Sequence, residues 1–130
     1  MWKIYDYLDS RGKSVIQEWA DDIRIEKRDR AKLDEKVDLL EQHGPDLPPG
    51  LLSDTKSKNI KKLRVAGKMA FRPLLCRGPI DNEEEFTFLQ GAVERNRKYD
   101  PSDAVKRAEK NREKVIRSPS RRGEHERLSG

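Results

Sequence analysis

Residues 63–78 read "LRVAGKMAFRPLLCRG". Apolar residues alternate on either side of Gly67-Lys68. That pattern predicts two strands, "IKKLRVA" and "MAFRPLLC", joined by a tight turn. Arg64 and Arg72 fall in the middle of those strands, an unusual place for two cations. If Gly67-Lys68 is a two-residue turn, Arg64 faces Phe71 across the ladder and Arg72 points to the opposite face. Pro73 cannot donate a ladder hydrogen bond, so it marks an edge, a bulge or a bend. A bulge there would bring both guanidinium groups to one surface.

The charge around this hairpin is one-sided. Between Asp54 and Asp81 there is no acidic residue, while Lys56, Lys58, Lys61, Lys62, Arg64, Lys68, Arg72 and Arg77 are all present. The net charge is +5, and outside this span acidic residues outnumber basic ones. A focused basic patch attracts a polyanion or an acidic protein. For Lys56 to Lys61, a solvated lysine-rich loop is an equally good account.

Working outward, "WKIYDYL" at 2–8 alternates aromatic and β-branched residues and predicts a strand. Ser14 and Gln17 match a capping box, followed by Ile16, Trp19, Ala20 and Ile23 at helical spacing. That first helix is expected to end near Ile23. A second runs from about Glu26 to His43, with Leu33, Val37 and Leu40 on one face, and Gly44-Pro45 stops it. Residues 51–59 read as a loop. "EFTFLQGAVE" predicts another strand. Asp100 as N-cap and Pro101 at the first helical position open a last helix. Its apolar face is thin, comprising Ala104, Ala108 and Val115 beside Val105, and predicts weak docking or docking on a partner. From Ser118 the chain loses periodicity and apolar content, so residues 118–130 are expected to form a disordered basic tail. The predicted order is β-α-α-β-β-β-α, an α+β fold with two helices packed on a mainly antiparallel sheet.

The chain has 130 residues, of which 33% are hydrophobic and 41% charged, which suits one small domain with a compact core. No apolar run reaches the length of a membrane span. Cys76 is the only cysteine, which rules out an internal disulfide and fits the cytoplasm. The two histidines, His43 and His125, lie far from Cys76 in sequence and lack metal-ligand spacing, so no metal is expected. No glycine-rich phosphate loop is present, and no cofactor is expected. Cys76 reads as a buried strand residue. The remaining chemistry belongs to arginine, lysine and tyrosine. After the last strand, "ERNRKY" supplies Arg95, Arg97, Lys98 and Tyr99. Guanidinium groups grip phosphate oxygens and stabilise negative charge added in a transition state. A tyrosine stacks on a base or donates a proton. Taken singly, Arg97 and Lys98 are better explained as surface ion pairs with nearby acids.

The segments "KKLRVAG", "FRPLLCRGP", "EFTFLQGA" and "YDPSDAVKRA", in this order, resemble the phage Gp49-like branch of the RelE/HigB (RelE/ParE) toxin superfamily. The resemblance covers roughly residues 2–115. It implies a RelE-like α+β domain over residues 1–117. It also implies the toxin of a type II toxin–antitoxin pair, a cytoplasmic endoribonuclease that cleaves mRNA on the ribosome. The reaction would be metal-independent attack by a ribose 2′-OH on the adjacent phosphate. Implied partners are the ribosome, mRNA and a cognate antitoxin carrying a helix-turn-helix domain. The family's Leu-Arg strand motif falls on Leu63-Arg64, its aromatic-Arg motif on Phe71-Arg72, and its basic Tyr-containing stretch on Arg95 to Tyr99. The expected catalytic residues are therefore Arg64, Arg72, Arg95 and Tyr99. Lys58, Lys61, Lys62, Lys68, Arg77, Arg97 and Lys98 are the expected RNA contacts. Gln90 stands where many HigB-like members carry a histidine, and Leu75-Cys76 where relatives often have a second aromatic. Loss of that histidine removes a proton-transfer group. The other expectation is a non-catalytic binding protein of the same fold, such as a gyrase inhibitor or a phage accessory protein.

Overall fold

Lys3 to Tyr7 extend as β1 (Lys3–Tyr7) in the computed structural model, which describes residues 1–129. Ser14 then caps α1 (Val15–Asp22), its Oγ accepting the Gln17 N–H at 3.1 Å. The return bond of the expected capping box, from the Ser14 N–H to the Gln17 side chain, does not form, and the Gln17 amide donates to the Glu126 carbonyl at 2.9 Å. α2 (Lys27–His43) buries Leu33, Val37 and Leu40. Gly44, at φ 54°, ends it and donates its N–H to the Leu40 carbonyl. No helix among the described residues is long and apolar enough to cross a membrane.

The strands that follow are short. They are β2 (Leu52–Asp54), β3 (Lys61–Leu63), β4 (Val65–Ala66), β5 (Ala70–Phe71), β6 (Leu74–Arg77), β7 (Glu85–Gln90), β8 (Val93–Arg95) and β9 (Lys98–Asp100). α3 (Ala104–Arg117) and β10 (Arg122–Glu124) complete the chain. One sheet has the order β10-β1-β7-β6-β3-β2 and the other β4-β5-β8-β9. The fold is α+β. Most pairs are antiparallel, but β1 runs parallel to β7, which makes the larger sheet mixed. β2 lies in a segment expected to be loop, and β9 turns the expected basic stretch after β8 into a hairpin.

The two sheets meet where three neighbouring strands break together, at Arg64, at Arg72-Pro73 and at Gly91-Ala92. Hydrogen bonds bridge the break, Leu63 N–H to the Pro73 carbonyl at 3.0 Å and Arg72 N–H to the Ala92 carbonyl at 2.8 Å. Pro73 has no N–H to give the ladder, so the strand bends there. Gly91 packs against Trp19 of α1 so closely that an added Cβ would overlap the indole. Phe71 meets the same indole edge-on, with ring centroids 6.2 Å apart. The sheet thus folds around Trp19.

α1 and α2 cover one face, burying Ile16, Leu33, Val37 and Leu40 against Ile4, Leu63, Phe71, Leu75, Phe86 and Phe88. α3 covers the other face. Its Ala104, Ala108 and Val115 are fully buried against Tyr7, Ile60, Leu74, Cys76 and Leu89. The expected weak docking is therefore corrected. Two alanines let the helix approach closely, and Asn111 donates to the Leu89 carbonyl at 2.8 Å. The helix also starts later than expected. Asp100 belongs to β9, and Asp103 stands at the N-cap, paired to Arg107 at 2.9 Å.

Residues 118–129 correct the expectation of a disordered tail. Pro119–Arg121 form a 3-10 turn, and β10 pairs antiparallel with β1 in the register Tyr5↔Glu124 and Tyr7↔Arg122. Charge rather than apolar area fastens the segment. Arg121 donates to the Tyr7 hydroxyl at 2.8 Å, and Arg122 pairs with buried Glu85. His125 Nδ1 lies 2.8 Å from Asp6, and Arg127 pairs with Asp38 at 2.6 Å. The Asp34 carboxylate accepts the N–H groups of Leu128 and Ser129 at 2.8 and 3.1 Å. Leu128, seated on the α2 side, is buried. Leu128→Ala should therefore cost about 2 kcal/mol and lower Tm by roughly 7 °C. A melting curve superimposable on that of the native chain would mean that the segment is not docked in solution.

Candidate functional site

The hairpin register differs by one residue from the two-residue turn expected. Val65 pairs with Phe71 and Ala66 with Ala70, so Gly67, Lys68 and Met69 form the turn. The cause lies outside the hairpin. The Asp29 carboxylate of α2 accepts the Lys68 N–H at 3.1 Å and lies against Gly67 so closely that a Cβ would collide with it. On the other side of the break, Lys62 pairs with Leu74. Arg64 therefore stands opposite Arg72, and no bulge is needed to bring them to one face. Leu63 and Val65 both point into the α1–α2 core, so Arg64 points away from it, toward the α3 side.

On that side, Arg72, Lys62, Glu94 and Tyr99 form one cluster. Arg72 Nε binds Glu94 Oε1 at 2.8 Å, and Lys62 Nζ reaches the same oxygen at 3.3 Å. Arg72 also donates to the Phe71 carbonyl at 2.9 Å. Glu94 pairs with Tyr99 across the β8–β9 ladder, and Lys62 Nζ lies 5.3 Å from the centre of the Tyr99 ring. Burial pushes the Glu94 carboxyl up, but hydrogen bonds and charge from Arg72 and Lys62 outweigh it and hold the group below its ordinary value. Arg72 is 8% exposed, and the Arg64 guanidinium makes no ion pair or hydrogen bond among the described residues. One carboxylate thus serves two cations while a third stays unpaired.

The other expected site residues divide among several places. Arg95 lies on the opposite face of β8 from Glu94, and its guanidinium contacts Met69 Sδ at 3.4 Å. It does not join Arg72 and Tyr99. Lys68 pairs with Glu26 at 3.1 Å on the α2 side. Arg97 and Lys98 are exposed at the β8–β9 hairpin, where Asn96 and Arg97 take φ of 51° and 64° in a two-residue turn. Lys61 pairs with Asp54 at 2.6 Å. Arg77 lies over the Trp2 ring at 5.1 Å and 3.9 Å from Glu83. Lys58 is exposed and makes no ion pair among the described residues. The span without acids in sequence is thus partly neutralised in space by Glu26, Asp54, Glu83 and Glu94. Glu94 itself was missed. Its alternation with core residue Val93 was the one available signal. Arg112 of α3, which lines a cleft with Lys58, Lys61 and Arg77, was also missed.

Cys76 is buried, and burial pushes its thiol up to about 12, which leaves it inert as a nucleophile at neutral pH. Gln90, at the histidine position of the resembling family, turns its amide to the Gly91 carbonyl at 3.1 Å. Among the described residues, no group of three or more His, Cys, Asp or Glu side chains is placed to hold a metal ion. No family model, no curated protein and no solved structure matches this chain.

Glu94→Gln should reveal how the cluster is held. The substitution leaves Arg72 and Lys62, both largely buried, without their counter-charge, at a cost of about 2–3 kcal/mol at pH 7. Because the folded carboxyl is lowered, its stabilisation is complete above the ordinary glutamate value of 4.5 and is lost as pH falls below that. Urea unfolding of both proteins should therefore show a gap at pH 7 that narrows towards pH 3. An equal gap at both values would mean that charge is not what Glu94 contributes.

Proposed function

We propose that this chain is the toxin of a type II toxin–antitoxin pair, a RelE-like endoribonuclease that acts on ribosome-bound mRNA in the cytoplasm. The observation that carries this reading is the in-register pair Arg64 and Arg72, on one face with Lys62 and Tyr99. The motifs from "KKLRVAG" to "YDPSDAVKRA" and the packing of two helices on one sheet face support it further. Unpaired Arg64 meets a phosphate of the incoming strand, and Arg72, aimed by Glu94, adds a second guanidinium. Both act on the extra negative charge of the phosphorane that forms when the 2′-OH attacks. Glu94 is the carboxylate placed to accept the 2′-OH proton. Tyr99 or Lys62 supplies a proton to the departing 5′-oxygen, which leaves a 2′,3′-cyclic phosphate and a 5′-OH. A carboxylate held low is a weak base, so free RNA is cut slowly. Docking on the ribosome supplies the missing positioning. A cognate antitoxin with an acidic segment would cover the hairpin and silence the site.

One observation favours the non-catalytic reading. Glu94 ties up Arg72, and Gln90 offers no proton-transfer group, which suits a protein that grips a target without cutting it. Arg64→Ala separates the two. Its guanidinium has no partner among the described residues, so Tm should stay unchanged. Cleavage of ribosome-bound mRNA should fall about 100-fold or more, as for removal of one transition-state donor. Growth arrest on induced expression should be lost in parallel. If the native chain binds ribosomes but cuts nothing, the protein is a binder. If Arg64→Ala cuts at the native rate, the Arg64–Arg72 face is not the catalytic site.

A further inference from the structure

We propose that a cleft at the end of the larger sheet is a second phosphate-binding site, which takes the backbone of the RNA strand flanking the Arg64–Arg72 face. The inference rests on the reading of that face as the RNA site, and it assigns a role to Arg112 that no motif marks. The cleft holds about 360 Å³ and is lined by Lys58, Asn59, Lys61, Arg77, Asn82 and Arg112, with Glu83 as its one acid. It opens beyond the start of β3 and the end of β6. On the far side of Asn59 and Arg112 a second hollow of about 270 Å³ adds Lys106 and Lys110, with Glu109 and Glu113 beside them. The basic lining therefore continues along α3.

Arg112 is the fixed element. Its side chain is only 23% exposed, on a helix packed against β6 and β7. The nearest carboxylate, Glu113, is 3.7 Å away, too loose to satisfy it. A largely buried guanidinium on a packed helix, with no close carboxylate, is placed to take a phosphate oxygen. The carboxylates on the other cations are easily displaced. Lys61 is held by Asp54 and Arg77 by Glu83, and those carboxylates are 85% and 87% exposed. Such exposed pairs contribute little and exchange readily for phosphate.

β3 connects this cleft to the face. Lys62 turns to Glu94 and Tyr99, while its neighbour Lys61 lines the cleft. Arg64 lies three residues further along, about 10 Å at the rise of a strand. A few nucleotides bridge that span. The lining residues carry no apolar side chain that could anchor a peptide, whereas Asn59 and Asn82 offer amides to ribose hydroxyls. RNA therefore fits the cleft better than an acidic protein segment.

The test uses the full chain and two labelled single-stranded RNAs, a dinucleotide too short to reach both sites and a strand of about twelve nucleotides that contains it, the latter within the span of known single-strand sites. Arg112→Gln should weaken the long RNA about 10-fold, lower its salt slope by about one, and leave the short RNA unchanged. The double variant Lys58→Ala/Lys61→Ala, at one exposed and one half-buried position, should act the same way and guards against misfolding of the Arg112 variant. Arg64→Ala should weaken both RNAs. The proposal is overturned if both cleft variants bind the long RNA as the native chain does, or if they weaken both RNAs equally. It is also overturned if only a polyglutamate peptide shows the dependence on Arg112. If the cleft variants cost only long-RNA affinity while Arg64→Ala is silent, the cleft stands and the reading of the face falls. A native chain that binds neither RNA overturns both.

Discussion

Asp29 is buried in the first turn of α2, and its carboxylate accepts the Lys68 N–H from the tip of a hairpin far away in sequence. Gly67 lies against the same carboxylate with no room for a side chain. Together they hold a three-residue turn where the local sequence favours two. A shift of one residue exchanges the faces of a strand. With two residues in the turn, Arg64 would oppose Phe71, and the two arginines would point to opposite sides. With three, Arg64 opposes Arg72 and Val65 opposes Phe71, so apolar residues pair on the core side and cations on the other. One helix carboxylate thus decides whether a two-arginine face exists.

The cluster on that face follows from electrostatics in a half-dry place. Lys62 and Arg72 are both largely buried, and without a counter-charge they would repel each other and lose hydration. Glu94 answers both at once, and its lowered carboxyl is the sign that the attraction exceeds the burial penalty. A second acid would neutralise the face entirely. The single acid leaves it net positive, with the unpaired Arg64 at the open end. Surplus charge of this kind is stable when the remaining cation is solvated, and it is what draws an anion. The same logic runs through the cleft, where Arg112 meets only the loosely placed Glu113, at 3.7 Å.

Local signals in the chain were readable where their physics is local. Ser14 caps α1, Gly44 ends α2, Pro73 bends its strand and Cys76 is buried, each as its residue type requires. Three features depended on distant partners and were not readable. The hairpin register needed Asp29. The course of residues 118–129 needed acids on β1, α2 and β7, because an apolar-poor segment can still dock through buried ion pairs such as Arg122–Glu85 and Asp6–His125. The depth of α3 needed the sheet face that Leu74, Cys76 and Leu89 present to its alanines. Of the residues on the Arg64–Arg72 face, Lys62 and Tyr99 could be singled out from the sequence along with the two arginines. Glu94 could not, because a lone acid in a strand reads as solvated until its cross-strand neighbours are known.

Counting charges along the chain therefore misjudges which cations are free to act. The C-terminal segment looks as basic as the hairpin, yet Arg122 and Arg127 each meet carboxylates and serve to close the β1 edge of the sheet. Arg95 looks like a member of the site, yet strand alternation turns it to the other face. Arg97 and Lys98 look like turn residues, and their hairpin extends from the same strand pair that carries Glu94 and Tyr99. What distinguishes a cation available to a ligand is that the fold leaves it without an acid while fixing where it points. Arg64 meets that condition through the hairpin register, and Arg112 through its seat on α3, where no acid comes nearer than Glu113 at 3.7 Å. The two lie at opposite ends of the β3–β6 pair, and the strand between them turns Lys61 to the cleft and Lys62 to the face that Arg64 shares.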